Sequence, residues 1–460
     1  MNNPLLTTLP VLLLAFAPIA SAQPITFEAD RANASFGFGL REIGDIDDDG
    51  FADFAIGAHK YSNGQTEEGV VFVYLGSAAG LSTTPDWEYE SNLTDARLGV
   101  AIAGGDLNGD GIDDLAVGAL GYEKAPHTGG AVLVFFGESA GLSSVPDQII
   151  SAGQAGAFFG RGLAIPGDLD ADGFDDLAVG APEFDGPITN SGRAYLFPGS
   201  ASGAAASPSW FVDGASLEEQ YGFELAGLGD VNGDGLPDLG VTSRDGGSAA
   251  SDGHAEVFHG NDAGLSTSPS ATLELNAFSA NTGWSIAGGD FDGDGYSDVA
   301  LGSHTYNTVD APGGVVAIFE GGPGGVETSP ADLLNSGVAD ALFGISAAAG
   351  KDLNGDGFDD LLVGAQGYSD GSIEGGAVFS FHGTPSGIST VAYDTLSYGQ
   401  AGARAGRRVE LLDDLDGDGT ADIAVSAVRY TIDQTQEGAV FVHTGFSHFV
   451  FSDRFEGSPD

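Results

Sequence analysis

The sequence of 460 residues contains no cysteine. Disulfides, zinc–thiolate sites and cysteine nucleophiles are therefore excluded. Basic residues are also scarce, because 14 Lys and Arg stand against 67 Asp and Glu and leave a formal net charge of −53. Nucleic acids and anionic membranes bind through basic patches, so neither is an expected partner. No apolar run reaches the length of a bilayer-spanning helix, and no membrane span is expected.

Apolar and aromatic residues are present in ordinary amounts, at 42% and 10% of the chain. A strongly acidic chain with few aromatic residues would suggest disorder, but this chain can bury a substantial core. The 75 glycines follow no every-third-residue pattern, which excludes collagen and indicates many tight turns between short strands. The acidic residues therefore need another role, and divalent cations are the obvious candidates.

The N-terminus has the features of an export signal. Residues 11–20 form a short apolar run, and Ala20-Ser21-Ala22 provides a small-x-small cleavage site before Gln23. No Lys or Arg precedes the run, and a buried N-terminal segment is the alternative. We predict that residues 1–22 are a signal peptide and that the protein is exported, either secreted or held at the cell surface or in the periplasm.

One nine-residue pattern, D-x-[DN]-x-D-G-x-x-D, recurs seven times at spacings of 60 to 62 residues. Its copies start at Asp45, Asp106, Asp168, Asp230, Asp290, Asp352 and Asp414. An apolar-Gly pair such as Phe36-Gly37 precedes each loop with a short strand, and a second strand follows it. A third strand and a weaker fourth complete most units. Four short strands per unit, with no helical period, predict an all-β fold.

The predicted fold is a seven-bladed β-propeller of four-stranded antiparallel blades over residues 23–446. The last unit has no fourth strand of its own. We predict that residues 25–28 pair into this seventh blade and close the ring, while residues 449–451 are the alternative. Residues 447–460 form a short tail, either a sorting signal or disordered.

The units resemble FG-GAP repeats, the blade module of the integrin α-subunit propeller and of many exported bacterial proteins. The resemblance covers residues 25–445 and rests on the apolar-Gly pair, the aspartate loop and the Val-Gly-Ala strand ending. Some units depart from the pattern: in the fourth, Thr242-Ser243 replaces Gly-Ala; in the seventh, Ala405-Gly406 replaces Phe-Gly and Ser426-Ala427 replaces Gly-Ala. Both units are still expected to fold, with less certain packing at those corners.

Each aspartate loop is predicted to bind one calcium ion, up to seven in all. Side-chain oxygens at positions 1, 3, 5 and 9 and the carbonyl of position 7 would surround the ion, and glycine at position 6 permits the turn. An EF-hand needs an acid at position 12, where the first loop has Ile56, and is rejected. A solvated turn is the simpler alternative. The predicted ligands are Asp45, Asp47, Asp49, Phe51, Asp53, Asp106, Asn108, Asp110, Ile112, Asp114, Asp168, Asp170, Asp172, Phe174, Asp176, Asp230, Asn232, Asp234, Leu236, Asp238, Asp290, Asp292, Asp294, Tyr296, Asp298, Asp352, Asn354, Asp356, Phe358, Asp360, Asp414, Asp416, Asp418, Thr420 and Asp422.

Six aromatic residues stand at a fixed offset after the second strand: Tyr61, Tyr122, Phe184, Tyr306, Tyr368 and Tyr430. The FG-GAP resemblance implies that these turns lie on the face opposite the calcium loops. The six side chains could form a ring that grips a sugar or peptide, but packing within each blade is the favoured interpretation.

No catalytic residues are predicted, because the scattered histidines, among them His59, His127, His254 and His304, are expected to be exposed loop residues. The leading hypothesis is a monomeric recognition or adhesion module for an extracellular protein or glycan. Two alternatives stay open. One is a polysaccharide lyase or hydrolase, for which Arg404, Arg407 and Arg408 gather before the seventh loop. The other is a passive structural module of the cell envelope.

Overall fold

A computed structural model describes residues 23–246, 252–277, 280–309, 311–369, 371, 373–415 and 419–444. The predicted signal peptide and tail lie outside these residues. The described part of the chain folds into 28 strands arranged as seven four-stranded sheets. Every pairing within these sheets is antiparallel, as in the pairing of β2 (Gly39–Gly44) with β3 (Asp53–Ala58).

The blades follow one another along the chain. Blade 1 continues from β2 and β3 with β4 (Val70–Tyr74) and β5 (Trp87–Glu90). Blade 2 contains β6 (Leu98–Gly105), β7 (Asp114–Ala119), β8 (Ala131–Phe135) and β9 (Gln148–Ile150). Blade 3 contains β10 (Leu163–Ala164), β11 (Leu177–Ala181), β12 (Arg193–Phe197) and β13 (Trp210–Asp213). Blade 4 contains β14 (Tyr221–Gly229), β15 (Asp238–Ser243), β16 (His254–His259) and β17 (Ala271–Leu273). Blade 5 contains β18 (Thr282–Gly289), β19 (Asp298–Ser303), β20 (Val315–Phe319) and β21 (Asp332–Leu334). Blade 6 contains β22 (Phe343–Lys351), β23 (Asp360–Ala365), β24 (Ala377–Phe381) and β25 (Asp394–Ser397). Blade 7 contains β26 (Ala405–Leu412), β27 (Asp422–Ala427) and β28 (Ala439–His443), together with β1 (Ile25–Phe27).

The first strand of each blade lines the central axis, because it contacts the first strands of both neighbouring blades. The ring closes where β2 of blade 1 meets β26 of blade 7. Apolar clusters join adjacent blades: Val71 and Val73 of blade 1 pack with Leu115 and Val117 of blade 2. Since each blade buries both of its faces only against its neighbours, the complete ring is the unit of stability. The seven-bladed propeller predicted from the repeats is confirmed.

The N-terminal strand closes the seventh blade, as predicted. β1 pairs with β28, with Thr26 opposite Phe441 and Phe27 opposite Val440. The Phe27 side chain is 2% exposed and meets the ring of Tyr74 in blade 1 at 4.6 Å in an edge-on arrangement. The alternative segment, residues 449–451, lies outside the described residues.

The glycine of the apolar-Gly pair is required where neighbouring blades meet. Gly99 has a φ of +84°, and a Cβ added there would lie 2.6 Å from the carbonyl oxygen of Val70 in blade 1. Both the left-handed backbone and the close approach exclude other side chains. Its partner Leu98 is fully buried, so the pair fixes the angle at which blade 2 docks on blade 1.

The fourth and seventh units fold, and the hydroxyl groups that they carry in place of Gly or Ala are hydrogen-bonded. In blade 4, the Ser243 hydroxyl donates to the carbonyl of Glu219 at 3.0 Å, and the Thr242 hydroxyl accepts from the amide of Glu224 at 3.1 Å. In blade 7, the Ser426 hydroxyl accepts from the amide of Arg408 at 2.9 Å. Each buried hydroxyl has a partner, so these corners avoid the cost of an unpaired polar group.

Candidate cation sites and the opposite face

The aspartate loops join the first and second strands of the blades, so they gather at one end of the propeller, called here the loop face. In blade 1, Asp45 Oδ1 accepts from the amide of Asp49 at 3.1 Å, and its Oδ2 accepts from the amide of Gly50 at 2.8 Å. Gly50 has a φ of +91°, which lets the chain turn back over the carboxylate. The loop is thus wound around its first aspartate.

The position-9 aspartate anchors each loop to the blade. Asp53 is fully buried; its Oδ2 accepts from the amide of Ile46 at 2.9 Å, and its Oδ1 accepts from the amide of Gly76, just beyond β4, at 2.8 Å. The same pair of bonds recurs at Asp114, Asp176, Asp238, Asp298 and Asp360. Burial raises the pKa of each of these carboxyls to about 7.

Three loops bring carboxylates together as a cation would require. Oxygens of Asp45, Asp47 and Asp53 lie within 4.8 Å of one another, and so do those of two further groups, Asp168, Asp170 and Asp176, and Asp290, Asp292 and Asp294. Asp47 Oδ1 and Asp170 Oδ1 are buried without a hydrogen-bond partner. A buried carboxylate oxygen without a partner is costly, and oxygen-only donor sets suit calcium. These loops therefore fit a hard divalent cation.

The three loops with asparagine at position 3 are organised differently. The side-chain amide of Asn232 donates to Asp234 at 3.0 Å, that of Asn354 donates to Asp356 at 3.1 Å, and that of Asn108 donates to Asp114 at 3.4 Å. In these loops a neutral amide already partners one carboxylate. In the seventh loop, Asp416 and Asp418 lie outside the described residues.

The position-7 residues are placed by their backbone. In the first six loops the amide of Phe51, Ile112, Phe174, Leu236, Tyr296 or Phe358 donates to the carboxylate at position 5. This bond holds position 7 beside the carboxylates. Cation binding by the carbonyl of position 7, including that of Thr420 in the seventh loop, stays a prediction.

Sequence reasoning missed the aspartate at position 8, which links neighbouring loops. Asp113 of blade 2 accepts from the amide of Asp45 in blade 1 at 2.9 Å. Asp175 and Asp359 do the same for Asp106 and Asp290. Burial is the main cause that raises the pKa of all three carboxyls. The signal was the Asp-Asp pair at positions 8 and 9, present in the second, third and sixth loops.

A further acidic group lies where β1 joins blade 7. Oxygens of Glu28, Asp30, Asp433 and Glu437 lie within 4.8 Å of one another and could hold a metal ion. Glu437 is fully buried and accepts from the amide of Ile432 at 2.7 Å. No motif indicated this group, because its members come from opposite ends of the propeller sequence.

The aromatic series packs against its own blades on the opposite face, defined as the end that carries the turns between second and third strands. The ring of Tyr368 meets Phe379 of β24 at 5.3 Å, and that of Tyr430 meets Phe441 of β28 at 5.2 Å. Tyr61 and Tyr122 are only 8% and 2% exposed. Phe184 packs against the cluster of its blade, and Tyr306 is half-buried. Ligand contact by these rings stays a prediction.

The expectation that the histidines are exposed was wrong for three of the four named. His59, His254 and His304 are buried, at 7%, 6% and 8% exposure. His59 and His304 directly follow second strands, and His254 begins the third strand of blade 4. His59 lies against Phe38 with ring centroids 4.1 Å apart, and His304 lies against Trp284 at 4.3 Å. Burial lowers the pKa of His59 to about 3 and that of His304 to about 4, so both are neutral.

Comparison with protein families agrees with this architecture. The FG-GAP repeat model matches residues 98–135, 159–197 and 343–380, and the FG-GAP-like repeat model matches residues 230–301. The matched segments are parts of blades 2, 3, 4, 5 and 6. In each, an aspartate loop lies between its first two strands.

Among curated proteins, the chain is 40% identical to integrin alpha-7 of Homo sapiens over 179 residues, which is 38% of the chain and 14% of that protein. It is 29% identical to integrin alpha-5 of Xenopus laevis over 213 residues, covering 44% of the chain and 19% of the relative. Integrin alpha-PS2 of Drosophila melanogaster is 30% identical over 231 residues, covering 47% and 16%. The match thus spans less than a fifth of the length of each of these relatives. In the described part of the chain, no helix is long and apolar enough to cross a membrane.

Proposed function

Since the chain is an FG-GAP-repeat propeller of the integrin α type, we propose that it is an exported, calcium-stabilised module that recognises an extracellular protein or glycan. The observation that carries the proposal is the separation of the two ends of the ring. Carboxylate loops repeat around the loop face, while the opposite face carries turns of varied sequence. Residues 23–446 would form this module after removal of residues 1–22.

In each loop, the aspartates at positions 1, 3, 5 and 9 and the carbonyl of position 7 would hold the ion. Bound calcium would supply the positive charge that compensates clustered carboxylates. The chain itself provides the positioning: Asp53 fixes the loop to the end of β4, and Asp113 fixes it to the next blade. Calcium bound at these positions would therefore strengthen contacts within and between blades.

The expected affinity places calcium in a structural role. Extracellular calcium modules have Kd values of about 10⁻⁴ to 10⁻³ M, so the loops would be filled at extracellular calcium concentrations. They would act as staples in a chain that has no disulfides, and would not respond to small changes in calcium.

The recognition function is tested by probing the purified, calcium-loaded protein on arrays of glycans and extracellular matrix proteins. We expect saturable binding to at least one probe in calcium and loss of that binding in EGTA under conditions that unfold the ring. Absence of any binding by the folded protein would contradict the recognition function. Turnover of a polysaccharide on the same array would favour an enzyme instead.

A further inference from the structure

The unpaired basic residues of this acidic protein are concentrated in one place. Thirteen of the 14 Lys and Arg lie in the described part of the chain, and Arg454 lies outside it. Among those 13, five side chains form no ion pair or hydrogen bond with the described residues: Lys60, Lys124, Arg404, Arg407 and Arg429. Four of the five line a single pocket, called here the basic pocket. With 67 acidic residues available as partners, this concentration points to a reserved anion site.

The basic pocket opens on the opposite face, between blades 1 and 7. Its walls come from the turn before β2, the residues after β3, β26 with the turn before it, the residues after β27 and the turn before β28. The cavity volume is about 170 Å³. This is smaller than the ~300–1,000 Å³ of drug-sized ligand sites and suits a single sugar residue or its charged group. Lys60, Arg404 and Arg429 are exposed at its rim, whereas Arg407 is 8% exposed at its inner end.

The positive charge of the pocket is not cancelled by the axial residues behind it. Arg161 and Arg408 both pair with one carboxylate, Glu224, at 3.2 Å and 3.0 Å. The bond of Arg408 to Glu224 crosses the axis from blade 7 to blade 4, so Glu224 is fully engaged by two cations. Arg407 contacts the ring of Phe38, with its guanidinium carbon 4.6 Å from the ring centroid.

Arg407 is consequently a buried cation without an anionic partner among the described residues. Burial lowers the pKa of its guanidinium well below the usual range, the neighbouring Arg408 and Arg161 lower it further, and Glu224 offsets only part of this. Burying an uncompensated charge is costly, so an anion in the pocket would relieve the cost. The adjacent His59 is buried and neutral and adds no competing charge.

From this geometry we propose that the basic pocket binds an anionic sugar residue, through its carboxylate or sulfate, at Arg404, Arg407, Arg429 and Lys60. The proposal rests on the recognition function proposed above and names its ligand class. Guanidinium groups bind carboxylates and tetrahedral oxyanions such as sulfate through paired, charge-assisted hydrogen bonds.

The remaining lining favours a sugar over an acidic peptide. Asn33, Ser35 and Gln436 contribute neutral amide and hydroxyl groups, which suit the hydroxyls of a sugar ring. A peptide bound as an added β-strand would instead need free backbone groups along a strand edge. The backbone at the rim is already occupied, since the amide of Asn33 donates to the carbonyl of Thr435 at 3.0 Å.

The test uses the full calcium-loaded protein and isothermal titration with three oligosaccharides of equal length: galacturonate trimer, a sulfated galactose trimer and neutral galactotriose. The variant Arg404→Gln/Arg429→Gln changes two exposed residues. Lys124→Gln is the control, because among the described residues Lys124 is the unpaired cation outside the pocket. We expect binding of at least one charged trimer, weaker or absent binding of galactotriose, and a loss of about tenfold or more in affinity in the double variant only. The charged trimer that binds identifies carboxylate or sulfate as the recognised group. Melting temperatures of all variants confirm that they are folded.

Four results would overturn the inference. Equal binding of neutral and charged trimers, or equal losses in the double variant and Lys124→Gln, would remove the pocket from recognition. Tighter binding of a hexaglutamate peptide than of either charged trimer, with the same loss in the double variant, would replace the sugar by an acidic peptide. If the array finds a ligand whose binding the double variant does not change, the recognition function stands and this pocket is not its site.

Discussion

The substitution Asp53→Asn separates the two roles of a position-9 aspartate, which binds backbone amides in the structure and is proposed to bind calcium. Asparagine keeps the size of the side chain but offers one acceptor oxygen where the carboxylate offers two. It can therefore keep only one of the bonds from Ile46 and Gly76. The lost bond should cost about 1–3 kcal/mol in the free energy of unfolding.

The substitution also removes a charge that is unfavourable without a cation. Burial raises the pKa of Asp53 from 3.8 to about 7, so its ionised form at about pH 7.5 costs the calcium-free fold up to about 4 kcal/mol. In EGTA the two effects oppose each other, and Asp53→Asn should be close to neutral or stabilising. In calcium, the variant loses one site, whose contribution at about 10 mM free calcium and a Kd of about 10⁻⁴ to 10⁻³ M is about 1.4–2.7 kcal/mol.

The assay is urea unfolding of the wild type and variant, each in EGTA and in calcium. The loss of unfolding free energy caused by Asp53→Asn, relative to the wild type, should be larger in calcium than in EGTA by about 1.4–2.7 kcal/mol. Asp48→Asn is the matched control: Asp48 is exposed at position 4 of the same loop, has a φ of +58° that asparagine tolerates, and loses the same charge. Equal destabilisation by Asp53→Asn in EGTA and in calcium would refute the proposed calcium role of this carboxylate.

Three further outcomes are expected. Phe27→Ala should reduce the free energy of unfolding, measured in urea, by about 3–5 kcal/mol, because it leaves a cavity where β1 closes the ring. Thr26→Ala, on the exposed side of β1, should cost less than about 1 kcal/mol in the same assay. Equal effects of the two substitutions would contradict closure of the ring by β1. Tyr398→Phe removes the 2.8 Å bond to His443 Nε2 and should cost about 1–2 kcal/mol in the same assay, and no loss would show that this buried bond is not stabilising. The rise in melting temperature on adding calcium should be smaller at pH 5 than at pH 8, because protons compete with calcium for the position-9 carboxyls, whose pKa is about 7 without calcium. In EGTA, ionisation of the same carboxyls should lower the stability of the fold as the pH rises from about 4 to 7. A calcium effect that does not change with pH would exclude these carboxyls as ligands.

Repetition made the architecture predictable from the sequence. Seven copies of one loop fixed the number of blades, and a missing fourth strand in the last copy directed attention to the N-terminus. Both predictions are confirmed, including the pairing of Thr26 with Phe441. Such features are local in sequence and recur in every unit, so a single chain is enough to read them.

Features that depend on contacts between distant blades could not be read in this way. The bond between Arg408 and Glu224 joins residues 184 positions apart. No sequence feature of either repeat unit indicates that these two residues meet. His59 follows β3 as an ordinary turn residue would, and the repeat pattern gives no sign of its contact with Phe38 of the same blade. The basic pocket likewise combines residues from the first and last blades, so its charge emerges only after folding.

The most direct test of the central claim, that cations in the aspartate loops hold the ring together, is the melting temperature of the purified protein in calcium and in excess EGTA. Metal analysis of the same samples should count the bound ions. We predict up to seven calcium ions per chain and a large fall in melting temperature when they are removed. A protein shown to be free of calcium that melts at an unchanged temperature would contradict a stabilising role for these ions.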